Sequence, residues 1–195
     1  MLDENAFGIL LSYHAIDDEE YRLTPEEFAR SFGAFRDVTR VWLENTPLPT
    51  PARALFLGHA LYVEWPDPAD ADSSSADALF NPIAALREVR RSLSERDLQS
   101  VAVLTHGSRW VREFDAAHAE STRLGDVPCL DFGYPSEPLR KALQAELAAH
   151  AIGAQSSWGP GLYLDTEAVE ALGKRPQNQP TLLELADASF YRAGS

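Results

Sequence analysis

The sequence contains a single cysteine, Cys129, and only two lysines among its 195 residues. One cysteine cannot form a disulfide within the chain, so the fold must be stabilised by packing, as is usual in a reducing compartment. The sequence also lacks any apolar run near the roughly 20 residues that a membrane-spanning helix requires. Residues 1–5 lack the basic start of a signal peptide. We therefore expect a cytoplasmic protein that does not span a membrane.

Positive charge is scarce as well. The chain has 30 acidic and 17 basic residues, which gives a formal net charge of −13. The average field of such a chain repels a nucleic-acid backbone, so no nucleic-acid partner is expected. The strong preference for arginine over lysine, together with abundant alanine, is typical of a GC-rich bacterial genome.

Sequence motifs that would identify a cofactor are missing. There is no H-E-x-x-H pattern, no paired cysteine motif, no G-x-G-x-x-G and no Walker loop. The five histidines, which are His14, His59, His106, His118 and His150, have no metal-ligand spacing along the chain. The sequence therefore predicts neither a metal site nor a bound cofactor.

What the sequence does contain is an alternation of apolar strands and amphipathic helices. The predicted strands are 7–13, 54–65, 100–107, 127–133 and 161–164. The predicted helices are 24–45, 82–96, 136–150, 166–172 and a last one that starts at Thr181. Capping boxes predict the starts at Thr24 and Thr181. In the helix 136–150, Leu139, Leu143 and Leu147 define the predicted buried face.

This order of elements predicts an α+β fold with a mixed sheet in a single domain, residues 1–195. Two βαβ-like units follow each other, as in a ferredoxin-like βαββαβ fold with an added N-terminal strand and helix. The alternative is a doubly wound α/β sheet, and residues 109–125 leave the choice open, because a parallel crossover needs a dozen or more residues. Residues 66–78 are small, polar and acidic, and predict a mobile loop.

One histidine lies where a predicted strand ends. His106 occupies the place where open α/β sheets carry catalytic groups, and it would act as a general base if Asp131 or Asp165 oriented it. Cys129 would be a nucleophile if its thiolate were stabilised. The same residues also fit structural roles, as a turn residue, a solvated charge, a helix cap and a small buried side chain. No complete catalytic triad is recognisable, so the structural roles are favoured.

Acidic and aromatic residues define a second candidate site. The set consists of Asp17, Asp18, Glu19 and Glu20 with Trp65 and Trp158, which lie beside predicted turns. Charged rims steer association, and tryptophans commonly anchor protein interfaces. An acidic surface that maintains solubility, with both tryptophans in the core, fits the sequence equally well.

These observations favour a small acidic intracellular protein-binding module without enzymatic activity. An inhibitor, an immunity-type antidote or an adaptor that docks on a basic partner surface would have this character. The alternative is a hydrolase or transferase that uses the strand-end histidine, His106, with a carboxylate or Cys129. The sequence does not determine the oligomeric state.

Overall fold

A computed structural model of the chain describes most of its residues. The described ranges are 2–13, 24–50, 52–69, 80–111, 122–124, 127–129, 136–150, 158–173, 181–185 and 187–193. Within them the chain forms a seven-stranded sheet, a separate two-stranded sheet and four helices. None of these helices combines the length and apolarity needed to cross a membrane.

The elements follow one another in a mixed order. They are β1 (Leu2–Tyr13), α1 (Pro25–Asn45), β2 (Arg53–Leu57), β3 (Ala60–Pro66), α2 (Pro82–Ser94), β4 (Ser100–Val111), β5 (Thr122–Leu124), β6 (Val127–Cys129), α3 (Glu137–His150), β7 (Gly161–Asp165), α4 (Thr166–Ala171), β8 (Thr181–Leu185) and β9 (Ala188–Ala193).

The main sheet has the strand order β2-β3-β1-β4-β7-β9-β8. β1 lies between β3 and β4 and runs antiparallel to both, and among the described strands only β4 and β7 pair in parallel. The predicted mixed α+β fold is therefore confirmed at this level. The doubly wound parallel sheet is wrong, because the sheet is mainly antiparallel.

Both faces of β1 are buried, as its unbroken apolar sequence requires. Successive side chains of a strand point to opposite faces. Phe7 and its alternate neighbours pack with side chains of α1, α2 and α4. Leu10 packs with Val101, Val103 and alanines of α3 on the other face. The helices thus cover the sheet as two layers, three on one side and α3 on the other.

The first helix starts as predicted. Thr24 Oγ1 accepts a hydrogen bond from the Glu27 backbone N–H at 3.2 Å, and the Glu27 carboxylate accepts one from the Thr24 backbone N–H at 2.8 Å. Pro25 occupies the first turn, where its missing N–H costs nothing. The capping box of the sequence is therefore a true helix start.

The predicted strand 54–65 is wrong, because it is a hairpin of two strands. Leu57 pairs with Ala60 across a two-residue turn formed by Gly58 and His59. Gly58 has φ +62°, a conformation that favours glycine, and a glycine at the first turn position is typical of tight hairpins. Apolar residues on both sides of the turn made the segment resemble one long strand.

The C-terminal helix predicted from Thr181 is also wrong. Residues 181–185 form β8, which pairs antiparallel with β9, and Leu183 lies opposite Phe190. Both side chains are buried. Pairing with a neighbouring strand outweighs the local capping pattern here.

The tandem βαβ arrangement differs from the prediction as well. β3 and β4 are not neighbours, because β1 lies between them. Of the predicted strand 127–133, residues 127–129 form β6, which pairs with β5 outside the main sheet, and 130–133 lie outside the described residues. The parallel neighbour of β4 is instead β7, which follows α3.

The buried face of α3 is not the leucine stripe that the sequence predicts. Leu147 is 70 % exposed, and Leu139 and Leu143 are only partly buried at the edge of the core, whereas Ala142 and Ala145 are fully buried. Small side chains let the helix lie close to the sheet, and Gly8 of β1 has the same effect: a Cβ there would lie 3.0 Å from Pro138 Cβ. This orientation turns polar residues of α3 toward the sheet.

Candidate active site

Polar side chains interrupt the layer between the sheet and α3 at three places. One group surrounds Arg109, a second surrounds Lys141, and a third joins α3 to the β2–β3 turn. The histidine that the sequence favours, His106, lies on the opposite face of the sheet, against Phe7.

His106 has a carboxylate partner, but not one of those predicted. Its Nε2 lies 2.8 Å from Asp67 Oδ2, and its ring centroid lies 4.7 Å from that of Phe7. Asp165 does approach His106, but it accepts the backbone N–H at 3.2 Å and does not orient the ring. Sequence reasoning did not identify Asp67 as a partner, because Asp67 lies in the segment 66–78, whose composition predicts a mobile loop.

The His106–Asp67 pair offers little surface to a solute. The side chains are only 13 % and 11 % exposed. Asp67 is further held by its backbone N–H, which donates to the Asn5 carbonyl, and by Oδ1, which accepts from the Ala69 N–H. The geometry suits a structural contact between β4 and the end of β3. A catalytic role for His106 stays a prediction.

The other sequence candidates divide into those in the core and those outside the described residues. Trp65 is 2 % exposed and stacks on Phe7, so it is a core residue and cannot anchor a partner. Trp158 is partly buried, and its ring stacks on that of Tyr163. Those outside the described residues are Asp17, Asp18, Glu19, Glu20, Asp131 and the side chain of Cys129.

Lys141 is a buried cation surrounded by carboxylates. Its Nζ donates to the His106 carbonyl at 3.0 Å and to Glu167 Oε2 at 2.7 Å, and lies 3.4 Å from Asp165 Oδ2. Burial by itself lowers the pKa of Lys141, but the Glu167 hydrogen bond and the nearby carboxylates outweigh it and raise that pKa. Burial raises the pKa of Asp165, although Lys141 opposes the shift. This group ties α3 to β4, β7 and α4.

Arg109 is also fully engaged. Its guanidinium donates to Glu4 and, at 3.3 Å, to Glu64 Oε1. Tyr62 donates its hydroxyl to Glu64 Oε2 at 2.6 Å, and burial, followed by the charge of Glu64, raises the pKa of Tyr62 well above its ordinary value. Ser136 hydrogen-bonds the same carboxylate. These groups therefore satisfy one another's hydrogen-bonding capacity and charge within the core.

The third group, which we name the His59–Glu146–His150 cluster, contains two histidines that are accessible to solvent. His59 Nε2 lies 2.6 Å from Glu146 Oε1, and that oxygen lies 3.7 Å from His150 Nε2. Ser12 Oγ lies 3.3 Å from His150 Nε2. The side chain of His59 is 53 % exposed and that of His150 is 26 % exposed, whereas Glu146 is only 5 % exposed. A buried carboxylate thus lies beneath two accessible imidazoles.

Three elements position this cluster. β1 ends beside the β2–β3 turn, where the Tyr13 backbone N–H donates to the His59 carbonyl at 3.1 Å. Glu146 and His150 lie four residues apart on α3, so they share one face of the helix. Burial lowers the pKa of His150; Glu146 opposes this shift, and His59 adds to it.

Sequence reasoning missed this cluster. His59 and Glu146 are 87 residues apart, so only the fold brings them together. The one local signal was the i, i+4 spacing of Glu146 and His150, which by itself is common on exposed helices. A carboxylate with two imidazoles can exchange protons near neutral pH or bind a cation.

The fold is similar to that of nucleotide cyclase domains of known structure. One similar solved structure is the adenylyl cyclase CyaB from P. aeruginosa, with a TM-score of 0.55 and 9 % identity over 100 % of this chain and 96 % of that one. Another is the dimeric guanylyl cyclase domain of the RhoGC fusion protein from Blastocladiella emersonii (TM-score 0.52, 10 % identity, 99 % and 98 % coverage). A third is an adenylate/guanylate cyclase/hydrolase from Silicibacter pomeroyi (TM-score 0.54, 6 % identity, 100 % and 99 % coverage).

No family model matches the sequence. No curated protein matches it either. At identities of 6 to 10 % the structural likeness shows a shared fold. It nevertheless overturns the interpretation as a protein-binding inhibitor or adaptor, because the three similar structures named above are cyclases matched over nearly their whole length. The enzyme alternative of the sequence analysis is the better supported of the two.

Proposed function

We propose that the protein is a nucleotide cyclase, an enzyme that converts a nucleoside triphosphate to a cyclic nucleotide and pyrophosphate. The observation that carries this proposal is the extent of the shared fold. Nearly the whole chain corresponds to nearly the whole of each cyclase domain, with 96 to 99 % of those domains covered. Because fold alone does not establish function, the site must supply the rest of the argument.

We further propose that the first part of the chain is a ferredoxin-like unit. The elements β1-α1-β2-β3-α2-β4, with strand order β2-β3-β1-β4, support a ferredoxin-like βαββαβ unit in the first part of the chain. The predicted order of elements puts this unit one strand and one helix further along. The difference arises from the β2–β3 hairpin, which resembles one long strand in the sequence.

We assign the active site to the His59–Glu146–His150 cluster. It is the histidine–carboxylate group with the greater exposure, since the His59 side chain is 53 % exposed and that of His106 is 13 % exposed. A catalytic group must come within hydrogen-bond reach of its substrate. Among the described residues, the buried cations Lys141 and Arg109 are already engaged by carboxylates.

The chemistry of cyclisation defines what this site has to do. The ribose 3′-oxygen attacks the α-phosphorus and forms the new P–O bond, while the bond to the β-phosphate oxygen breaks and pyrophosphate leaves with its electron pair. The 3′-hydroxyl must lose its proton, and the charge on the phosphates must be offset. In a chain of net charge −13 that offset has to be local. Imidazoles and a carboxylate can serve both needs, as proton acceptors and as holders of a cation.

The test is a turnover assay on the full chain. Purified protein is incubated with ATP or GTP in the presence of Mg²⁺, Mn²⁺ or Zn²⁺, and the products are separated by liquid chromatography and mass spectrometry. We expect a cyclic nucleotide and an equal amount of pyrophosphate. Glu146→Gln should lower the rate by about 100-fold or more, in line with the usual contribution of such groups.

A matched control is Glu184→Gln, which makes the same change of charge at an exposed position of β8. This variant should retain the wild-type rate. Absence of a cyclic nucleotide with every triphosphate and metal, or release of inorganic phosphate without a cyclic product, would contradict the proposal. Equal rates in Glu146→Gln and wild type would remove the cluster from the site.

A further inference from the structure

We propose that His59, Glu146 and His150 together bind a transition-metal ion of the Zn²⁺ type. Each side chain offers one ligand atom, and these three atoms all lie within 4.8 Å of one another. The inference rests on this geometry and on the chemistry of the donors. It does not depend on the function proposed above, and it departs from the sequence-based expectation of no metal site.

The spacing of the ligand atoms is close to what one ion requires. In a tetrahedral site with bonds of about 2.0–2.1 Å, ligand atoms lie about 3.3 Å apart. The distance from Glu146 Oε1 is 2.6 Å to His59 Nε2 and 3.7 Å to His150 Nε2. Side-chain rotations that move these atoms by about 1 Å would bring all three within bonding distance of one ion.

The three ligands lie on well-supported elements. Glu146 and His150 are one helical turn apart in the last turns of α3, and the face they share is directed toward the sheet. His59 lies in a two-residue turn whose carbonyl is fixed by the Tyr13 N–H at 3.1 Å. Ligands on rigid elements form more precise metal sites than ligands on long loops.

The charge of Glu146 gives a reason for an ion at this place. The carboxylate is 5 % exposed, and the polar side chains that approach it, within the ranges described, are the two histidines. A buried carboxylate is costly unless a positive charge compensates it. A divalent ion supplies that charge, and it also accepts the lone pairs of both neutral imidazoles.

The donor set selects the class of ion. Two imidazole nitrogens and one carboxylate oxygen suit Zn²⁺ and its first-row neighbours, whereas Mg²⁺ and Ca²⁺ prefer oxygen ligands throughout. Two histidines and one glutamate with a fourth position open are a donor set of catalytic zinc sites. The 53 % exposure of His59 leaves one side of the cluster facing solvent, where the fourth ligand would be water or substrate.

The test measures metal binding without any nucleotide. Full-length protein is dialysed against a chelator, and is then titrated with Zn²⁺ in a calorimeter and with Co²⁺ in a spectrophotometer. We expect one ion per chain and a Co²⁺ spectrum of nitrogen and oxygen ligands. His59→Gln, Glu146→Gln and His150→Gln should each weaken Zn²⁺ binding by at least about 10- to 100-fold, which is the range seen even for groups that merely support a ligand.

Glu184→Gln again provides the matched control and should bind Zn²⁺ as the wild type does. Circular dichroism establishes that each variant is folded, and a rise in the wild-type Tm with Zn²⁺ serves as a second readout. Absence of stoichiometric binding to the wild type, or unchanged binding in all three variants, would overturn the inference. A sulfur-to-cobalt charge-transfer band would place the ion on Cys129 and overturn it as well. Zn²⁺ binding without formation of a cyclic nucleotide would leave the metal site standing and refute the proposed function.

Discussion

Lys141 shows how a single residue holds several elements together. Its side chain is 1 % exposed and lies beside Asp165, which is also 1 % exposed, and Glu167, while the ammonium donates to the backbone of β4. Taking such an ion pair out of water is costly, and the geometry must repay that cost. Removal of one partner leaves the other as an uncompensated buried charge.

We therefore predict that Lys141→Met lowers the free energy of unfolding by about 3–5 kcal/mol at pH 7. The loss should become smaller toward pH 4. Burial already raises the pKa of Asp165 above its ordinary value of 3.8. Removal of Lys141 takes away the charge on α3 that opposes this shift. When folding raises the pKa of a carboxyl group, the folded state becomes less stable as the pH rises from the unfolded-state pKa through the folded-state pKa. Urea unfolding of wild type and variant at pH 4 and pH 7 measures this difference.

The double variant Lys141→Met, Asp165→Asn is the control, because it removes both charges of the pair. It should recover part of the stability that the single variant loses at pH 7. A loss that is equal at pH 4 and pH 7, or a double variant no more stable than the single one, would show that the pair is not coupled in this way.

At the same scale, the sequence could identify candidate residues but not their partners. His106 and Asp165 do approach each other, as their positions late in two strands suggested. Of His106, Asp165 contacts only the backbone N–H. The His106 ring contacts Asp67 instead, because Asp67 follows β3 and lies on the face of the sheet that is opposite α3. His59 and Glu146 meet only through the β2–β3 turn and the orientation of α3, neither of which the sequence analysis had predicted.

At the scale of elements, α3 shows that sequence periodicity predicts where a helix starts and ends, whereas packing determines which of its faces is buried. Its start and end were predictable from residues 136–150, and the structure confirms a helix at Glu137–His150. Its orientation was not, because leucines and alanines alternate around the helix and both define an apolar stripe. The alanine stripe lies inward because Gly8 and the short side chains permit a close approach to β1 and β4.

This orientation predicts opposite outcomes for two neighbouring positions. Ala145 is fully buried, so Ala145→Leu adds volume to a filled layer and should lower the free energy of unfolding by about 1–3 kcal/mol. Leu147 is 70 % exposed, so Leu147→Gln should change it by less than about 0.5 kcal/mol. Chemical denaturation of both variants tests the pair together. The reverse order of effects would mean that the leucine stripe faces the sheet after all.

Local sequence signals failed where strand pairing decided the structure. The pattern Thr181 to Glu184 resembles the capping box that correctly marks Thr24, but β9 lies alongside and takes the segment into the sheet. The apolar run 54–65 failed for a related reason, since the turn at Gly58 depends on β2 folding back on β3. In both cases the information lies in a partner strand, which a window of neighbouring residues does not contain.

At the scale of the whole molecule, hydrogen bonds of one sheet connect the two ends of the chain. β1 pairs with β4, β4 with β7, β7 with β9 and β9 with β8, so the C-terminal hairpin extends the sheet that begins at residue 2. Phe190 of β9 is fully buried and belongs to the same apolar layer as Leu10 of β1. That residues 1–195 form a single domain stays a prediction, which the continuity of the sheet makes testable.

We accordingly predict that Phe190→Ala destabilises the whole molecule and not merely its last hairpin. Loss of a buried phenylalanine should lower the free energy of unfolding by about 3–5 kcal/mol. Far-UV circular dichroism and tryptophan fluorescence should still report one coincident transition, because Trp158 contacts Phe190 whereas Trp42 and Trp65 lie in the other half of the molecule, so the fluorescence samples both. Leu182→Ala, at a 49 % exposed position of the same hairpin, is the control and should cost less than about 1 kcal/mol. Two separate transitions in Phe190→Ala would show that the terminal hairpin unfolds on its own and that the chain has more than one cooperative unit.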